Sequence, residues 1–128
     1  MLGIDKIDCA QKILQKFLGD MIIKSHLDSE DLKITVELRN GLKLYIQYNN
    51  FNQYSYSIIF SKINLDRCRF DNYDKNWKLA SNPHHFHPRL IKIANFSPMN
   101  GDPNKDIPLL CDLIRSGKLF LRDCQFFN

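Results

Sequence analysis

The stretch 32–48, LKITVELRNGLKLYIQY, decides how this chain folds. Leu32, Ile34, Val36 and Leu38 alternate with Lys33, Thr35, Glu37 and Arg39. Beyond Asn40-Gly41, Leu42, Leu44, Ile46 and Tyr48 alternate with Lys43, Tyr45, Gln47 and Asn49. Apolar residues at every second position line one face of a strand. Asn-Gly between two such runs predicts a hairpin, because a type I′ turn needs positive φ at both central positions.

Outward from the hairpin, the period changes. Residues 5–18 place Ile7, Ala10, Ile13, Leu14, Phe17 and Leu18 at helical spacing, with Asp5 or Asp8 as N-cap and Gly19 as stop. Residues 21–26 read as a first strand. After a turn at 49–52, residues 54–63 form a more apolar and therefore central strand. Residues 66–71 follow as another strand, with Cys68 and Phe70 on one face and Arg67, Arg69 and Asp71 on the other. Residues 72–89 are loop-like, and Leu90, Ile91 and Ile93 restart order as a short final strand. Asp106 is the expected cap of a helix over 105–116, with Pro108 in its first turn and Gly117 as its stop. Residues 118–128 are apolar enough to dock and carry no assignment. The expected fold is α+β: an antiparallel meander of four to six strands, an N-terminal and a C-terminal helix on one face, and a single domain over 1–128.

Composition agrees. A chain of 128 residues, 44% hydrophobic and of net charge +4, can build a core and is not a disordered segment. Runs such as Met21-Ile22-Ile23 and Ile58-Ile59-Phe60 are too short to span a bilayer. The acidic N-terminal residues lack an apolar signal region, so a cytoplasmic protein is expected. Cys9, Cys68, Cys111 and Cys124 contain no CxxC spacing and read as reduced thiols. The weight of Ile, Asn and Lys suggests an AT-rich, prokaryotic genome. Charge is uneven: residues 1–38 carry net −2, residues 39–92 net +6, and residues 93–128 net zero. A basic middle suits a phosphate-bearing or acidic partner.

The same middle block holds His84, His85 and His87 between Pro83 and Pro88. If extended, it turns His85 and His87 one way and His84 and Phe86 the other, with Arg89 in phase beside the first pair. Such a group suits phosphodiester cleavage. A neutral imidazole takes the proton of an attacking 2′-hydroxyl, an imidazolium protonates the leaving oxygen, and arginine stabilises the charge at phosphorus. Arg67 and Arg69 can hold phosphates while Asp71 orients an arginine or a histidine. Tyr54, Tyr56, Phe51, Tyr73 and Trp77 offer either base stacking or core. His-x-His is also a metal-site spacing, with Asp71, Asp74 and Cys68 as further ligand candidates. A surface loop of solvated histidines is the plainest alternative. There is no Gly-rich phosphate loop, no Gly-x-Ser-x-Gly, no His-Glu-x-x-His, and only Glu30 and Glu37 as glutamates. The chemistry is therefore read as metal-independent and cofactor-free.

Four pieces in order, Asn40-Gly41, Tyr54-Ser55-Tyr56, Arg69-Phe70-Asp71-Asn72 and Pro83-His84-His85-Phe86-His87, resemble the pattern of the TumE-type toxins of prokaryotic toxin–antitoxin systems. Ser57-Ile58 and Tyr73-Asp74-Lys75 stand where that family often carries histidines, an aromatic or a proline. The resemblance implies a small cytosolic toxin held inactive by a cognate antitoxin and acting on RNA or translation. It carries over Arg69, Asp71, Asn72, His84, His85 and His87, while Arg67 and Arg89 come from the charge pattern. The expectation is an endoribonuclease with His85 and His87 as base and acid in either order, and Arg69 and Arg89 as phosphate clamps. The rival is a non-enzymatic RNA- or protein-binding module of the same fold. RNA, the antitoxin and, among oligomeric options, a second copy are the expected partners.

Overall fold

The hairpin of residues 32–48 forms as its alternation predicts, between β2 (Lys33–Leu38) and β3 (Lys43–Tyr48). Its turn differs in type. Gly41 N donates to Leu38 O (3.0 Å), Leu38 N donates to Leu42 O (2.9 Å), and only Gly41 takes a positive φ, +89°. This is a three-residue loop ending in a left-handed glycine rather than a two-residue type I′ turn. Asn40 keeps an ordinary φ because its side chain accepts from Leu42 N (3.2 Å).

The computed structural model describes residues 1–73 and 79–127. Asp74, Lys75 and Trp77 therefore lie outside the described residues. Around the hairpin are β1 (Ile22–Asp28), β4 (Tyr54–Ile59), β5 (Arg67–Asp71), β6 (His85–His87) and β7 (Asn95–Phe96). The strands pair antiparallel in chain order, giving one seven-stranded meander. The count exceeds the expected four to six because β6 and β7 are three and two residues long, too short to show a period. The last strand is Asn95–Phe96 rather than 90–93, where Leu90 has a φ of +65° that no strand accepts.

Two helices, α1 (Gly3–Leu18) and α2 (Pro103–Ser116), cover one face of this sheet. Ile7, Ala10, Leu14 and Leu18 of α1 join Ile107, Leu110 and Ile114 of α2. They meet the inward residues of the strands, among them Ile34, Val36, Ile46, Tyr56 and Phe70, in one buried cluster. Each of the larger aliphatic and aromatic side chains stabilises the fold by roughly 1.5–3 kcal/mol relative to exposure. Cys68 and Cys111 belong to this core, and burial pushes the Cys111 thiol up to about 12, so both behave as small hydrophobes. Among the described residues no helix is long and apolar enough to cross a membrane.

The helix ends depart from expectation. α1 begins at Gly3, ahead of Asp5 and Asp8, because Asn50 reaches from the β3–β4 loop to accept from Gly3 N (2.9 Å). A Cβ at residue 3 would meet the tip of Leu32 at 2.6 Å and Asn50 Oδ1 at 3.0 Å, so a larger residue would have to displace those side chains. Gly19 stays in the right-handed helical region. α2 is capped by Asp102, which accepts from Asn104 N (2.9 Å), and ends at Gly117 in the left-handed region as expected. Asp106 sits one turn inside, fully buried, accepting from Tyr56 Oη (2.7 Å), Gly101 N (2.7 Å) and Asn100 N (3.0 Å). Burial raises its carboxyl above the ordinary range, yet its acceptors are needed by three donors. We expect Asp102→Ala to lower the unfolding free energy by about 1 kcal/mol, and Asp106→Ala by about 3 kcal/mol or more. Denaturant titration checks this, and equal losses would contradict the assignment of the cap.

Candidate active site

The pairing of β5 with β6 sets Arg69 opposite His87, Phe70 opposite Phe86 and Asp71 opposite His85. Opposed residues of an antiparallel pair point to the same face. Phe70 and Phe86 turn into the core and stack at 4.6 Å between ring centroids. The two polar pairs turn to the other face, away from the helices. His85 and Asp71 are nonetheless 1% and 2% exposed.

The four polar side chains form one contact group. Asp71 Oδ1 lies 2.9 Å from His85 Nδ1, and Asp71 Oδ2 is ion-paired with Arg69 Nε. His87 Nε2 lies 3.1 Å from His85 Nδ1 and 3.9 Å from Asp71 Oδ2. On its far side, His87 Nδ1 is 3.1 Å from the Ile93 carbonyl. A carbonyl only accepts, so Nδ1 carries the hydrogen of the neutral ring and Nε2 keeps its lone pair, aimed at His85 and Asp71. Burial, aided by the Arg69 charge, holds the His87 imidazole below its ordinary value and favours that neutral form. The ligand atoms of Asp71, His85 and His87 all lie within 4.8 Å of one another, the one such group of metal-binding side chains among the described residues.

A pocket of about 280 Å³ opens beside this group, walled by Arg67, Arg69, His87, Lys92, Ser57 and Ile91 among others. It adjoins a shallower groove over the open sheet face, lined by Lys33, Tyr45, Gln47 and Ser55, and the two share Ser57 and Arg67. The Lys33 ammonium lies 4.9 Å from the Tyr45 ring centroid.

The structure thus brings together Arg67, Arg69, Asp71, His85 and His87, with only Arg67, Arg69 and His87 reaching the pocket. Three expected site residues serve elsewhere. Arg89 is not beside the histidines: it pairs with both oxygens of buried Asp66, donates to Phe120 O (3.2 Å) and lies over the Phe60 ring. Asn72 ties two segments together, accepting from Tyr54 N (2.9 Å) and donating to Asn52 O (2.9 Å). His84 turns to the opposite side, its Nδ1 2.9 Å from Tyr54 Oη. Of the aromatics, Tyr54 and Tyr56 are core, while Phe51 and Tyr73 are exposed. Cys68, once a ligand candidate, has its thiol raised by burial in the core. Sequence reasoning missed Ser57 and Lys92. Alternation along β4 places Ser57 opposite Arg69 and was a usable signal. Lys92, in the irregular segment after β6, had none.

The Arg89 guanidinium holds the Asp66 carboxyl below its ordinary value of 3.8. A depressed carboxylate contributes stability above that value and loses it as pH falls below. Arg89→Met is expected to destabilise the chain by about 2 kcal/mol at neutral pH. Its deficit against wild type should shrink on acidification from pH 6 to pH 3. A pH-independent deficit would contradict the assignment of Arg89 to Asp66.

Comparison with protein-family models, with curated proteins and with solved structures brings up no match, so the likeness to TumE-type toxins rests on the quoted motifs alone.

Proposed function

We propose that this chain is the toxin of a prokaryotic toxin–antitoxin pair and that it cleaves RNA at the pocket beside His87. One observation carries the reading: Arg67, Arg69 and Lys92 share a pocket wall with an imidazole whose hydrogen is placed by a backbone carbonyl. Three cations around one cavity suit a phosphodiester, and the fork of a guanidinium matches two phosphate oxygens at once. The adjoining groove, with Lys33 and Tyr45, supplies charge and a ring face for the neighbouring nucleotides.

In this reading a phosphodiester sits against Arg67 and Arg69. The His87 ring shifts so that its Nε2 lone pair leaves His85 and faces the pocket, and there it takes the proton of the 2′-hydroxyl as O2′ bonds to phosphorus. The bond to the 5′-oxygen breaks, and that oxygen is protonated by solvent water, leaving a 2′,3′-cyclic phosphate and a 5′-hydroxyl. Asp71 and His85, both buried behind His87, act as positioning residues, and the negative charge of Asp71 favours the imidazolium once it forms. His85 stands behind the pocket, which moves the acid–base work to His87. General base catalysis of this kind is worth about 10²–10⁴ in rate.

Induced expression should slow growth and degrade total RNA. His87→Ala, at a half-buried position that tolerates truncation, should restore both, and the purified variant should lose about 10²-fold or more of its cleavage of single-stranded RNA. Arg69→Ala should weaken RNA binding and cleavage together. Growth arrest with intact RNA in wild type and His87→Ala alike would replace this reading by the non-enzymatic binding module. Normal growth in every strain, with no cleavage in vitro, would end it.

A further inference from the structure

The three groups behind the pocket hold more than a proton relay requires. Asp71 Oδ1, His85 Nδ1 and His87 Nε2 point at a common volume, at separations of 2.9 Å and 3.1 Å along the chain of contacts and 3.9 Å from His87 Nε2 to the second Asp71 oxygen. A tetrahedral ion with bonds of 2.0–2.1 Å sets its ligand atoms about 3.3 Å apart. The contacts at 2.9 Å and 3.1 Å fall just short of that value, and the three ligand atoms all lie within 4.8 Å of one another, so small side-chain movements would place them around one ion. Two imidazoles and one carboxylate are also the donor set of many divalent transition-metal sites.

The surroundings have the form that such a site needs. A ligating histidine usually donates its other ring hydrogen to a carbonyl or carboxylate, which aims the remaining lone pair at the metal. The Ile93 carbonyl does this for His87. Arg69 bonds one oxygen of Asp71 and leaves the other facing His85, which fits a carboxylate that binds through a single atom. Asp71 and His85 are held on facing strands in fixed register, so the donors are preorganised. His87 also lines the pocket, so the cluster adjoins that opening.

We propose that Asp71, His85 and His87 form a binding site for a divalent transition-metal ion of the Zn²⁺ class. The consequence for activity rests on the ribonuclease reading given above. The lone pair that would bind the metal is the one that His87 uses to accept the 2′-hydroxyl proton, and it cannot do both. Loading the ion therefore switches cleavage off, and removing it restores the base.

The test separates the two readings. Metal-free full-length chain is titrated with Zn²⁺ alone by calorimetry and with Co²⁺ alone by absorption spectroscopy. One equivalent should bind, with the visible bands of a low-coordinate Co²⁺ site. Affinity should fall about 100-fold or more in His87→Ala and in Asp71→Asn, beyond the usual cost of losing an outer-shell partner. His87→Ala keeps the test decisive if the buried Asp71→Asn fails to fold. Cys9→Ser, which removes the one thiol outside the core, should bind as wild type. Binding that is absent, that survives His87→Ala or that disappears in Cys9→Ser overturns the site. Zn²⁺ at one equivalent should suppress RNA cleavage and EDTA should restore it, whereas stimulation by Zn²⁺ overturns the blocking role. A chain that cleaves no RNA in either state sinks the ribonuclease reading, and the titration still decides the metal site.

Discussion

The register between β5 and β6 is the constraint on which the site depends. A slip of one residue would turn every side chain of β6 to the opposite face. Phe86 would then leave its stack on Phe70 and enter solvent, and His85 and His87 would enter the core. Phe86, fully buried, resists that exchange by roughly 1.5–3 kcal/mol, and burying two imidazoles in an apolar core adds to the cost. The alignment of Asp71 with His85, and of Arg69 with His87, is thus enforced from the apolar side of the sheet. The polar cluster does not have to hold itself together, which leaves its charges available for chemistry.

The charge pattern of the middle block gains a physical account from the structure. Asp66 and Asp71, two of the three acids in residues 39–92, each bind an arginine: Asp66 holds Arg89 against the C-terminal segment, and Asp71 holds Arg69 at the pocket. Lys43 is near Glu37 across the hairpin (3.8 Å). Arg67 and Lys92 remain directed at the pocket, with Lys33 on the adjoining groove. A net excess that the sequence confines to its middle block gathers in part on one face of the sheet, at Arg67, Arg69 and Lys92.

Legibility followed the length of each element. Strands β2, β3 and β4 alternate over six residues each and were readable, as was the apolar stripe of α1 and the stop at Gly117. Strands of two and three residues contain too few alternations to be told from loop. Caps misled for a different reason: Asn50 and Asp106 act through partners about fifty residues away, Gly3 and Tyr56, which local spacing does not reveal. In the site, period two correctly set Arg67, Arg69 and Asp71 on one face, and His85 and His87 together. What it could not show was depth. His85 is buried and His87 reaches the pocket, a difference made by the strand beside them and the segment after β6. Phase alone places Arg89 beside the histidines, while its actual partner, Asp66, lies beyond both β5 and β6 in sequence.

The last described residues complete the back of the same strands. Leu119 and Cys124 are buried, and the Phe126 ring lies 5.7 Å from Phe70 and 5.1 Å from Phe86. During synthesis, then, the two strands that carry the histidines emerge from the ribosome well before the aromatic ring that backs them. A nascent chain has every polar group of the site and still lacks part of the wall that fixes their alignment. Until that ring arrives, the register of β6 on β5 has fewer aromatic contacts to hold it.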